Sequence, residues 1–90
     1  MTSIERKLAR QIAPGMVTYV PGTATKRFAS DMAFAAEQPE PGPVLTPKQR
    51  KYLLDIVIRY RCQINPLMVQ LARQEHYRDA YGLPEQELKA

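Results

Sequence analysis

From Thr46 to Ile64 the chain reads as one helix, apolar around most of its circumference, that still carries Lys48, Arg50, Lys51, Arg59 and Arg61. Thr46 suits the cap and Pro47 the first helical position, where a missing N–H costs no intrahelical bond. So apolar a helix has to run through the middle of a fold. Its cations must then reach water, a carboxylate or an anionic ligand. A chain of 90 residues has room for one modest core, so that core is built around this segment.

On an ideal helix Leu53, Ile56, Val57, Tyr60 and Ile64 share a face, and Leu54, Ile58 and Cys62 widen it past half the circumference. Lys48, Asp55 and Arg59 occupy the narrow polar strip, with Asp55 spaced to pair with Lys51 and Arg59. Arg50 and Arg61 fall inside the apolar arc. Each must snorkel to water, pair with a carboxylate such as Asp31 or Glu75, or reach a phosphate. Cys62 lies among apolar neighbours and is expected to be buried as a small hydrophobe. As a single cysteine it excludes an internal disulfide and a multi-cysteine zinc site within one chain.

The remaining segments predict more helix. Thr2 and Glu5 have capping-box spacing and open a helix to Ile12, with Ile4, Leu8 and Ile12 inward and Arg6, Lys7 and Arg10 on the opposite side. Pro14-Gly15 stops it. Residues 16–20 (Met-Val-Thr-Tyr-Val) are β-branched and aromatic, which predicts a short strand or an extended connector packed on helices. Thr23 or Thr25 caps a second helix to about Ala36, with Phe28, Met32 and Ala35 in its stripe. Residues 37–44 form a Pro-rich connector. Asn65-Pro66 opens a last helix to about Tyr81, with Leu67, Met68, Leu71 and Ala72 inward. The fold class is therefore mainly α: a small domain of about four helices over residues 1–82, one short extended or β segment near residues 16–20, and a frayed tail at 83–90.

A formal charge of +4 favours acidic partners: nucleic acid, an anionic surface or an acidic protein face. Ordinary solubility explains the same number. Lys26 and Arg27 stand in the first turn of the second helix, where free N–H groups and two cations suit a phosphate, or simply a solvated face. Tyr52, Tyr60, Tyr77 and Tyr81 interleave with arginines, a combination that serves single-stranded nucleic acid and protein interfaces alike. The short turn at Gln63 to Asn65 raises a helix-turn-helix reading. Against it stand the missing glycine and the acids Glu75 and Asp79 on the second helix. His76 has no metal-binding companion and reads as a surface or capping residue. No nucleophile–base spacing and no phosphate loop is present, so no enzyme, catalytic residue, metal or cofactor is expected. The charged N-terminus lacks a signal-peptide core and no run is long enough to span a bilayer, so a cytoplasmic protein is expected, away from the membrane.

The phrase Leu45-Thr46-Pro47-Lys48-Gln49, followed by Leu53, Arg59-Tyr60-Arg61 and Gln63, resembles a pattern in small phage and prophage proteins associated with DNA metabolism. Tyr19-Val20-Pro21-Gly22 and Lys26-Arg27-Phe28 are similar to what precedes that helix in some of them. The resemblance covers about half the chain and implies a basic mobile-element accessory protein acting on a nucleic acid or nucleoprotein. Small phage proteins of this size and charge also include anti-CRISPR inhibitors, which dock on a protein effector and block its nucleic-acid path. The expected binding residues are Lys26, Arg27, Lys48, Arg50, Lys51, Tyr52, Arg59, Arg61 and Arg73. The partner is a nucleic acid or nucleoprotein, or a host protein assembly, and a homodimer joined through residues 16–20 is compatible with either.

Overall fold

Side-chain oxygens cap the starts of all four helices in this computed structural model, which describes residues 1–39 and 42–81. Helix α1 (Ser3–Gln11) opens on the Thr2–Glu5 capping box, with Thr2 Oγ1 accepting from Glu5 N at 3.1 Å and Glu5 Oε1 accepting from Thr2 N at 2.8 Å. Helix α2 (Ala24–Ala36) is capped by Thr23. Helix α3 (Pro47–Arg59) has a second full capping box, between Thr46 and Gln49. Helix α4 (Pro66–Tyr81) starts where Asn65 Oδ1 accepts from Leu67 N at 2.8 Å. These bonds, reciprocal in α1 and α3, satisfy N–H groups that a helix start otherwise leaves open.

α1 packs chiefly on α2 and α3 on α4, and α1 also reaches α3 and α4. Leu8, Ile12, Leu53, Leu54, Ile56 and Val57 are fully buried where they meet. The mainly α architecture with four helices is thus what the apolar spacing predicts. The expected tail at 83–90 and part of the connector at 37–44 lie outside the described residues.

Several local expectations are corrected. The central helix does not run to Ile64. It ends at Arg59, Tyr60 leaves α geometry at φ −100°, and Arg61–Gln63 form one 3-10 turn. Asn65 precedes a proline, which disfavours helical backbone there, so the chain has to turn beforehand. Tyr60 packs edge-on against Tyr19 with ring centroids 4.9 Å apart, and Ile64 is buried after the turn. The same break carries Cys62 out of the apolar arc. It is exposed, not buried.

Residues 16–20 form no strand; among the described residues the only bridge here is an isolated one between Pro14 and Val17. The segment is an extended connector. Val17 and Tyr19 turn inward while Met16 and Val20 face solvent. Gln63 Oε1 takes the Thr18 N–H at 2.8 Å, and the Tyr19 hydroxyl donates to Ile12 O at 2.5 Å. Polar bonds to neighbouring turns replace a partner strand.

Arg6 does not join Lys7 and Arg10 on a solvated face. It is buried, and its Nη1 donates to Ala36 O at 2.7 Å and Gln38 O at 2.8 Å, closing the C-terminal end of α2. In α2, Ala29 and Ala36 are buried with Met32, while Ala35 is half-buried and Phe28 packs at the core's edge. Leu67 is 69 % exposed instead of inward, because α4 packs through Val69, Ala72 and Glu75, the last ion-paired with Arg50 of α3.

Candidate anion-binding surface

Three of the six acidic side chains among the described residues converge on one arginine. Arg50 donates Nη1 to Glu5 Oε2 at 2.8 Å, Nη2 to Glu75 Oε1 at 2.7 Å and Nε to Asp79 Oδ2 at 2.6 Å. Arg78 Nη1 adds a 3.2 Å pair to the other oxygen of Glu75. Burial pulls the Arg50 pKa down, but hydrogen bonds to Asp79, Glu5 and Glu75 outweigh it and hold the guanidinium above its ordinary range. Glu37 pairs with Arg10 at 3.2 Å, and Asp55 with His76 Nε2 at 3.3 Å. Asp55 therefore does not neutralise Lys51 or Arg59, as helix spacing alone had it doing.

Arg50 accordingly leaves the set of available binding residues; its donors face carboxylates on three sides. Of the carboxylates foreseen for it, Glu75 is the one used and Asp31 is not. Tyr52 also turns to structure. Its ring stacks on Phe28 with centroids 4.4 Å apart and its hydroxyl lies 3.1 Å from Thr25 Oγ1. Lys51 lines a groove of about 580 Å³ with Arg50, Leu45, Leu54, His76 and Asp79, so its surroundings are mixed in charge.

The other expected cations remain at the surface. Arg27, Lys48, Arg59, Arg61 and Arg73 are exposed and Lys26 is half-buried. None of them has an acidic partner within ion-pair distance among the described residues. Arg61 donates only to a backbone oxygen, Ile58 O, at 3.1 Å. Lys48 and Arg59 sit near opposite ends of α3, about 16 Å apart along the axis at 1.5 Å per residue, so α3 alone does not carry one patch.

Two clefts gather the rest. Arg61 and Arg73 line a cleft of about 500 Å³ with Pro66, Val69 and Gln70, between the 3-10 turn and the first turns of α4. Lys26 and Arg27 line a second of about 340 Å³ with Pro14, Gly22, Thr23, Ser30 and Asp31. That hollow continues into a smaller one past Pro14 and Lys26 to Val17, Thr18 and Tyr19. Because Thr18 N is held by Gln63, the Lys26 hollow and the turn carrying Arg61 are tied together by one hydrogen bond.

Sequence spacing names Arg61 and Arg73 but does not bring them together, since they belong to elements whose relation depends on where α3 stops. Gln70 is not foreseen at all. Comparison of the chain with protein-family models, with curated proteins and with solved structures gives no match. No group of His, Cys, Asp and Glu among the described residues could hold a metal ion, and no helix there is long and apolar enough to cross a membrane.

Proposed function

We propose that this chain is a non-enzymatic accessory protein that binds nucleic acid through the two clefts carrying Arg61 with Arg73 and Lys26 with Arg27. One observation carries the reading: Arg50 gathers Glu5, Glu75 and Asp79, while Lys26, Arg27, Arg61 and Arg73 have no ion-paired acid among the described residues. A net positive surface with exposed guanidinium groups attracts phosphates at little reorganisation cost. Guanidinium also matches phosphate oxygens in a bidentate fork. Gln70 adds an amide to the Arg61–Arg73 cleft, able to donate to or accept from a sugar or base.

The phage setting rests on the Leu45 to Gln63 resemblance and is part of the same proposal, as is a place in the host cytoplasm. The clefts fit backbone contact better than sequence reading. They are hollows at turns, not a helix laid out for a major groove, and the inward half of α4 holds Glu75 and Asp79 against Arg50.

Fluorescence anisotropy with labelled single-stranded and duplex oligonucleotides across a salt series tests the proposal. The expected result is binding that weakens steeply and log-linearly as salt rises, through displaced counterions. No binding at low salt to any of the oligonucleotides eliminates it.

A further inference from the structure

The line of the Arg61–Arg73 cleft continues beyond Arg73. On α4 the positions Pro66, Gln70, Arg73, Tyr77 and Tyr81 follow one another at spacings of three or four residues, so they share one side of the helix. Pro66, Gln70 and Arg73 line the cleft. Tyr77 and Tyr81 stand one and two turns further on, about 6 and 12 Å along the axis at 1.5 Å per residue. Tyr77 is 57 % exposed and Tyr81 66 %, and their rings rest against each other with centroids 4.5 Å apart. An aromatic ledge therefore prolongs the basic hollow.

The charges around the ledge limit what the combined surface can take. Arg61 and Arg73 have no ion-paired acid among the described residues. Glu75 and Asp79, the acids of α4, lie on its other side, where both reach Arg50. Arg78 is taken by Glu75 and adds nothing here. A chain of phosphates held in the cleft thus meets two exposed rings next, with no carboxylate to repel it. In a duplex the base faces are already stacked on one another, and the rings would find only sugar and phosphate edges. In a single strand the base faces are open, and each can stack on an aromatic ring whatever its sequence.

We infer that this site takes single-stranded nucleic acid, with Arg61 and Arg73 on its phosphates and Tyr77 and Tyr81 stacked on its bases. The inference rests on the nucleic-acid reading of the cleft and narrows it to one class of strand. The two rings could serve α4 alone, as neighbours four residues apart that steady its last turns. A strand without bases separates the two roles.

Fluorescence anisotropy on the full chain compares three end-labelled probes of equal length: a mixed-sequence single strand, an abasic single strand and a blunt duplex. Expected is a mixed-sequence strand bound about tenfold more tightly than either of the others. Tyr77→Ala and Tyr81→Ala, whose folding is checked by urea midpoint, each weaken that strand by about tenfold, about 1.4 kcal/mol. Both leave the abasic strand and the slope of log affinity against log salt unchanged, because no phosphate contact is lost. Tyr77→Phe keeps the ring and the affinity. Equal binding of all three probes overturns the inference and spares the proposed function. So does an unchanged single-strand affinity in both alanine variants, or an equal loss on the abasic strand, which makes the rings props of the helix. Binding of none of the probes at low salt removes the proposed function as well.

Discussion

The Arg50 Nη2 atom lies 2.7 Å from Glu75 Oε1, joining the second turn of α3 to the inward face of α4. The same guanidinium reaches Glu5 Oε2 at 2.8 Å, while Glu5 Oε1 closes the capping box of α1. One carboxylate thus holds a helix start and a cross-helix ion pair at once. Glu5 and Glu75 expose only 7 % and 6 % of their side chains, so both depend on Arg50 to offset the loss of water.

Replacing Arg50 by Met should therefore be among the most damaging single changes. It leaves two nearly buried carboxylates short of their partner, and breaking such a pair costs about 3–5 kcal/mol. Arg78 still holds Glu75, which places the expected loss near the lower end. Urea unfolding reads it directly. A loss under about 1 kcal/mol shows that water already reaches these acids and that the network is not buried in effect.

Alkaline pH should destabilise the fold through Tyr19. Burial, with Tyr60 beside it, pushes the Tyr19 phenol from 10.0 up to about 12. A raised folded-state value means the protonated phenol is favoured by folding, so its contribution is complete below pH 10. It is lost as the pH climbs through 12, because the unfolded chain releases the proton first. The two-unit gap corresponds to about 2–3 kcal/mol. Stability curves for the wild type and Tyr19→Phe should converge over that window, the variant being weaker at neutral pH by about 1–2 kcal/mol for the lost bond to Ile12 O. Parallel curves from pH 9 to 12 refute the linkage.

Gly42→Ala should lower the melting temperature. Gly42 has φ +67°, and an added Cβ would lie 2.5 Å from Arg6 Nη2. Arg6 is committed to Ala36 O and Gln38 O, so moving it disturbs the end of α2. Backbone strain and that displacement together cost about 1–2 kcal/mol. Calorimetry showing an unchanged or higher melting temperature is the contrary result.

The double change Arg61→Gln and Arg73→Gln should weaken oligonucleotide binding while leaving the urea midpoint within about 0.5 kcal/mol of wild type, since neither residue has an acidic partner among the described residues. If each contacts one phosphate, the slope of log affinity against log salt falls in magnitude by about 1.4–1.8. The double change Lys48→Gln and Arg59→Gln serves as a control with equal loss of charge away from the clefts. An identical response to the control means that net charge, not the Arg61–Arg73 cleft, governs the affinity.

Helix starts were legible because a cap is a contact within four residues: Thr2 with Glu5, Thr23 with Lys26 N and Thr46 with Gln49 are all set by adjacent sequence. Apolar spacing likewise named Leu8, Ile12, Leu53, Ile56 and Val57 as core. Spacing failed where two faces competed. Arg6 looked solvated on its own helix and is buried because α2 ends beside it. Leu67 looked inward on apolar spacing, yet α4 packs through Val69, Ala72 and Glu75, the last held by Arg50 of α3.

Local sequence determined that four helices form and which side of most of them seeks the core, since backbone propensity, capping and apolar periodicity all act over a few residues. The tertiary structure alone decided which charges cancel. Arg50, Glu5, Glu75 and Asp79 come from three different helices, and only their packing turns one arginine inward and leaves Arg61 and Arg73 facing solvent across a single cleft. The physical reason is that an ion pair is set by distance in space, and helix spacing reports on that distance only within one helix.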